Sequence, residues 1–163
     1  MNEPKLLSVL PGLFSELVEG AHRDKGAFVL NSGDPGILHS LDSLSSAEAS
    51  QSSNGGATIA AHTQHLRYGL SLMNRWATEG GDPFTGANWG EAWKVSAVDD
   101  GQWKEIRDGL RGETQHWLAA LQTPRSTSSL ALRGMVGSIA HLAYHVGAIR
   151  QISKNARGPK DGA

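Results

Sequence analysis

Two histidines near the end of the chain have the spacing of metal ligands. His141 and His145 stand four residues apart in the run SIAHLAYHVG at residues 138–147. If this segment is helical, both imidazoles lie on one face, roughly 6 Å apart, where they can share one metal ion. His62 and His65, on a second helix-like segment, offer a third nitrogen ligand. Three protein ligands with an open position are the layout of a catalytic metal site rather than of a closed structural one.

The same residues also permit an interpretation without metal. A single histidine on an apolar helix face is usually a core residue with a hydrogen-bond partner. Two in the middle of a buried arc are harder to explain this way, because burying polar rings without partners is costly. The spacing does not decide whether His62 or His65 is the third ligand. A buried, hydrogen-bonded histidine cluster without metal is the alternative.

The other polar candidates are weaker. Glu113 is considered as a carboxylate near the site, and no nucleophile elbow, HExxH motif or paired-glutamate di-iron pattern occurs in the sequence. His116 falls on the side of its segment away from the apolar residues, so we expect it to face solvent. The remaining histidines, His22 and His39, are expected at the surface as well.

Hydrophobic periodicity predicts an all-α chain whose four long helices position these residues. The predicted long helices cover residues 4–20, 58–77, roughly 22 residues from Asp99, and 126–154, with a short helix from Pro35 through Leu44. Pro11 is expected to kink the first helix or to mark its true start. No alternating strand pattern and no repeat is visible. A four-helix bundle is therefore the predicted architecture.

The connections between these helices differ in character. Residues 45–57, rich in Ser, Gly and Asn, are expected to form a surface connection. Residues 82–98 form a longer loop that carries Trp89 and Trp93, which we expect to cap the core rather than to stack on a substrate. The chain is predicted to be one domain, 1–163, with a polar tail at 155–163 that frays.

Composition excludes several functional classes. With 15 Lys and Arg against 16 Asp and Glu, the chain has a net charge of −1 and no basic cluster, which argues against a nucleic-acid-binding protein. No stretch approaches the roughly 20 apolar residues of a membrane span. The absence of cysteine excludes disulfides and thiolate ligands, and fits a cytoplasmic location. Any metal must be held by histidines and carboxylates.

Two runs resemble the DinB/YfiT-like superfamily of bacterial four-helix proteins. They are TIAAHTQHL at residues 58–66 and HLAYHVGAIRQ at residues 141–151, and the second is close to the HLxxHxGxIRQ pattern of that family. The resemblance extends in helix order over nearly the whole chain, although only these two runs are specific. It implies a four-helix bundle of the DinB type with a long connection between its second and third long helices.

The resemblance also implies a site. By position in the motif, His65, His141 and His145 match the three histidines that hold a divalent metal, nickel or zinc, while His62 becomes a neighbour or a reserve ligand. Relatives include S-transferases that use a low-molecular-weight thiol, and a thiol-dependent isomerase. The chain shows no cluster of Arg and Lys for the carboxylates of such a thiol, so a thiol co-substrate is expected only from the resemblance.

Two functional hypotheses follow. The first is a metal-dependent transferase or hydrolase in which the ion activates water or a thiol that attacks a small-molecule substrate. The second is a non-catalytic metal-binding or sensing module, which could assemble as a homodimer. The lack of a recognisable general base motivates the second, and the three inward histidines motivate the first.

Overall fold

The computed structural model describes residues 3–22, 26–125 and 128–156, with side chains from residue 7 onward. The described residues form helices and loops, with two isolated bridges but no strand. The helices are α1 (Glu3–Glu19), α2 (Ile37–Asp42), α3 (Ser46–Ala49), α4 (Ile59–Glu79), α5 (Trp89–Ala92), α6 (Asp100–Gln122) and α7 (Ser129–Ile152). A 3-10 turn, Lys154–Ala156, follows α7. The all-α prediction is confirmed.

Side-chain caps fix where the long helices begin. The hydroxyl of Thr58 accepts a hydrogen bond from the N–H of Ala61 at the start of α4. At the start of α7, the hydroxyl of Ser128 accepts one from the N–H of Ala131. Asp99 opens α6 with a capping box that it shares with Gln102. Each cap satisfies a backbone N–H that the helix itself leaves unpaired.

The four long helices surround one hydrophobic core. α4 packs against α6 and α7, and α1 packs against the same two helices, so each long helix has two long neighbours. The largest fully buried side chains come from all four helices and from α2, and include Phe14, Ile37, Leu66, Trp103, Trp117 and Leu142. The Trp117 indole N–H donates to the Ser138 hydroxyl and so ties α6 to α7.

Several details of the fold differ from the sequence prediction. The segment 45–57 contains the short helix α3, whose Ala49 is fully buried, and the loop 82–98 contains α5. Each of these helices has only four residues, too few to show a helical period in the sequence. α1 begins well before Pro11 and continues through it. Of the tail 155–163, residues 155 and 156 belong to the 3-10 turn, and the rest lies outside the described residues.

The end of α7 is anchored to the segment that joins α1 to α2. Arg150 donates to the Asp34 carboxylate over 2.7 Å and to the Pro35 carbonyl over 3.0 Å, and the Asp34 side chain is only 1% exposed. The segment approaches α1 at Gly20, whose φ is +119°. A Cβ at Gly20 would stand 2.8 Å from the Asp34 carbonyl oxygen, so this approach requires glycine.

Among the described helices, none combines the length and the hydropathy that crossing a lipid bilayer requires.

We predict that Arg150→Ala lowers the free energy of unfolding by about 3 kcal/mol, because it leaves the buried Asp34 carboxylate without its cation. Urea unfolding followed by circular dichroism measures the change. Arg133→Ala, at an exposed arginine of the same helix, is the control and should change stability by no more than about 0.5 kcal/mol. Equal effects of the two substitutions would show that the buried ion pair does not anchor α7.

Candidate metal centre

Four histidines from two helices meet at the interface of α4 and α7. α4 carries His62 and His65 one turn apart, and α7 carries His141 and His145. His62, His65 and His145 are buried, and His141 is partly buried. The spacing of three and four residues places each pair on one helix face. Because α4 and α7 pack together, the two faces meet.

Three of these rings bring their Nε2 atoms close together. His141 Nε2 lies 3.1 Å from His65 Nε2 and 3.0 Å from His145 Nε2. A neutral imidazole nitrogen carries either one proton or one in-plane lone pair, so His141 Nε2 can form a good hydrogen bond with only one of these neighbours. A cation could accept a lone pair from all three. The three histidines could therefore hold a metal ion, since their ligand atoms all lie within 4.8 Å of one another.

The separation of the nitrogens suits a transition metal. Zn–N bonds of about 2.0–2.1 Å, at angles between octahedral and tetrahedral, place neighbouring ligand nitrogens roughly 2.9–3.4 Å apart. The distances from His141 Nε2 to His65 Nε2 and to His145 Nε2, 3.1 Å and 3.0 Å, fall in this range. Three imidazole ligands leave at least one coordination position for a water or a substrate atom. The residues present thus fit a transition-metal ion by these separations and by donor chemistry.

His62 is not one of these three histidines, but it contacts His145 at the other ring nitrogen. Its Nδ1 lies 2.8 Å from Nδ1 of His145, so the two nitrogens share a proton. If Nε2 of His145 gave its lone pair to a metal, the ring proton would sit on Nδ1, and Nδ1 of His62 would accept a hydrogen bond from it. Ligating histidines are commonly oriented by such a contact to the second ring nitrogen. His62 would therefore hold His145 in the tautomer that a metal ligand needs.

Trp93 and Trp89 cover the histidines from the loop between α4 and α6. The indole of Trp93 stacks on His65 at 4.1 Å between ring centroids and 24° between planes, and it also approaches His62 and His145. Trp89 lies 5.2 Å from His65. The prediction that these tryptophans cap the core was wrong, because they pack on the polar cluster instead. His65 Nδ1 is buried with no hydrogen-bond partner in the described part of the chain, so this ring is held by its Nε2 contact with His141 and by the stacked indole.

Burial keeps the four imidazoles neutral. Loss of solvent lowers the pKa of all four, with His141 and His62 adding charge repulsion at His65 and at His145. The pKa falls to about 4 for His65 and to about 3 for His145. An uncharged ring keeps the lone pair that ligation requires. At neutral pH the cluster therefore needs no deprotonation before it binds a cation.

The remaining candidates lie away from this cluster. His22, His39 and His116 are exposed, as predicted. Glu113 accepts a hydrogen bond from the Asn74 amide at the α4–α6 contact and is not part of the group that could hold a metal. The position of Trp93 was missed by sequence reasoning. The only signal for it was the unusual aromatic content of the connecting loop.

The pH dependence of stability should reveal the buried histidines. In metal-free protein, unfolded histidines take up protons near pH 6.5, whereas His65 and His145 in the folded state do so only near pH 4 and pH 3. The unfolded state then binds more protons, so the free energy of unfolding decreases as the pH falls from about 7 to about 5, where few other groups titrate. Chemical denaturation in chelator measures this. His145→Gln should flatten the slope, and an unchanged slope would contradict the assignment of neutral, buried rings.

His62 should tune metal affinity without setting stoichiometry. We predict that His62→Phe weakens binding of zinc or nickel by about 10–100-fold, because His145 loses the partner that fixes its ring. Competition with a chromophoric chelator gives the affinity. His116→Phe, at an exposed histidine, is the control. Loss of all binding in His62→Phe would make His62 a direct ligand, and unchanged affinity would remove its orienting role.

Comparisons with protein-family models, with curated proteins and with solved structures each found no match.

Proposed function

We propose that this chain is a metal-dependent enzyme whose divalent ion is held by His65, His141 and His145. The observation that carries the proposal is the proximity of three Nε2 atoms, because His141 Nε2 lies 3.1 Å from that of His65 and 3.0 Å from that of His145. A set of three neutral ligands without a fourth protein donor is typical of catalytic rather than structural sites. The resemblance of residues 58–66 and 141–151 to the DinB/YfiT-like superfamily supports the same assignment, together with a four-helix bundle of that type.

The chemistry we infer is activation of water or of a thiol. A bound divalent ion lowers the pKa of a coordinated water or thiol and supplies a nucleophile near neutral pH. The residues of the chain prepare the site for this role. Burial keeps the imidazoles uncharged, His62 orients His145, and Trp93 shields His65 from solvent. Hydrolysis and transfer to a thiol both agree with these features.

The chemistry of the available donor atoms limits which metals and which co-substrates fit the proposed site. Imidazole ligands suit zinc and nickel, and the absence of any carboxylate from the group argues against magnesium or calcium. The chain contains no cysteine, so a thiol nucleophile would have to come from a separate, low-molecular-weight molecule. The proposed partners are therefore small molecules.

A non-catalytic metal-binding or sensing module is the second candidate. The observation that favours it is the composition of the group, which consists of histidines alone and contains no carboxylate that could act as a general base. A module of this kind would bind the ion tightly and gain stability from it, without exchanging the ligand in the open position. Turnover by the metal-loaded protein would exclude this candidate.

Metal content is the decisive measurement for both candidates. Protein purified without a metal-affinity tag should contain about one equivalent of nickel or zinc by plasma mass spectrometry. His145→Ala should lose it, because two nitrogens bind an ion far more weakly than three. His39→Ala, at an exposed histidine outside the cluster, is the matched control and should retain the metal. A His145→Ala protein that keeps a full equivalent would overturn the proposed site.

A further inference from the structure

A cleft of about 540 Å³ starts at the histidine cluster and runs between α4 and α7. His65 and His141 border one end, and Trp76 and Leu130 border the other. His65 and Trp76 are 11 residues apart on α4, and Leu130 and His141 are 11 residues apart on α7. The cleft is therefore about 16 Å long. Its volume lies within the range of about 300–1,000 Å³ that is usual for small-molecule sites.

The walls of the cleft are almost entirely apolar. α4 contributes Leu66, Leu70 and Met73, and the loop after α4 contributes Pro83 and Trp89. The α7 wall includes Gly134 and Gly137, and a Cβ added at Gly137 would meet no atom within 4 Å. Toward the end at Trp76 and Leu130, the Met73 methyl would stand only 3.2 Å from a Cβ at Gly134, so the space there is narrow. The shape suits a chain rather than a compact group.

The charged side chains that border the cleft are poorly placed to bind a polar ligand along the length of the cleft. Arg133 is exposed, and Asp82 already accepts hydrogen bonds from the N–H of Phe84 and the hydroxyl of Thr85. Two large apolar side chains that border the cleft are unusually exposed, Phe84 at 46% and Leu130 at 63%. Exposed apolar residues beside an apolar cleft are typical of a ligand-binding surface.

We propose that this cleft binds the elongated apolar tail of the substrate and so presents the head of that molecule to the histidine cluster. The inference rests on the proposed function, because it assigns the reacting group to the end of the cleft at His65 and His141. The substrate class is a small amphipathic molecule with one linear aliphatic or arylalkyl tail. A cleft of about 16 Å accommodates a tail of roughly a dozen carbon atoms, given C–C bonds of about 1.5 Å.

The structure also supplies a way to close the cleft without disturbing the fold. A Cβ at Gly137 would meet no atom within 4 Å, so a leucine side chain there has room at the wall of the cleft without displacing a neighbour. Gly112 of α6 has an equally free Cβ position and does not border the cleft. Gly112→Leu is therefore the matched control for the same substitution on a long helix.

Titration of the protein as purified with 1-alkanols from butanol to dodecanol tests the inference. The fluorescence of Trp76 and Trp89, which border the cleft, reports occupancy. Affinity should rise about fourfold with each added methylene until the tail reaches the far end of the cleft. Gly137→Leu should abolish this dependence while retaining native circular dichroism and metal content, and Gly112→Leu should preserve it.

The outcomes separate the tail site from the metal site. A flat series with wild-type protein that still holds one equivalent of metal would overturn the inference and leave the proposed function intact. A rising series in protein that binds no metal would support the tail site while the proposed function fails. Light scattering that shows a dimer, dissociated by Gly137→Leu, would overturn the inference by assigning the cleft to a second copy of the chain.

Discussion

The burial of four imidazoles at one helix interface is the constraint on which the rest of the structure depends. His62, His65, His141 and His145 cannot all satisfy their ring nitrogens with shared protons, because His141 Nε2 has two nitrogen neighbours near 3 Å. Unpaired buried polar atoms cost roughly 1–3 kcal/mol each. An ion that accepted three lone pairs would remove this cost. The contact between α4 and α7 therefore combines apolar packing with a polar cluster that could hold a cation.

Most of the scaffold could be predicted from the sequence because its determinants are local. Apolar periodicity and the caps at Thr58, Asp99 and Ser128 determine the long helices, and the spacing of His141 and His145 puts both on one face. The contact of His62 with His145 could not be predicted, because it depends on the rotation of α4 against α7. That rotation results from many side-chain contacts between the helices, which cannot be read from the sequence.

The tryptophan loop shows the same limit. Its aromatic content indicated a role in packing, but a loop without a hydrophobic period does not determine which surface its side chains cover. In the structure, the Tyr68 hydroxyl accepts a hydrogen bond from the N–H of Asn88, which fixes the loop against α4 just before Trp89. Trp93 then reaches His65. A contact twenty residues apart in sequence thus decides whether the histidines are shielded from solvent.

Small residues on α4 and α7 connect the cluster to the cleft. A Cβ at Gly69 would lie 3.7 Å from Cε1 of His141 and 3.5 Å from the Trp89 ring, so any larger side chain would fill the space beside the cluster. Only a small residue fits at Gly69, because an added Cβ would already contact Trp89 and His141. Gly137, where an added Cβ would meet no atom within 4 Å, leaves the cleft open one helical turn before His141. This local departure from close packing is expected where an interface serves binding as well as stability.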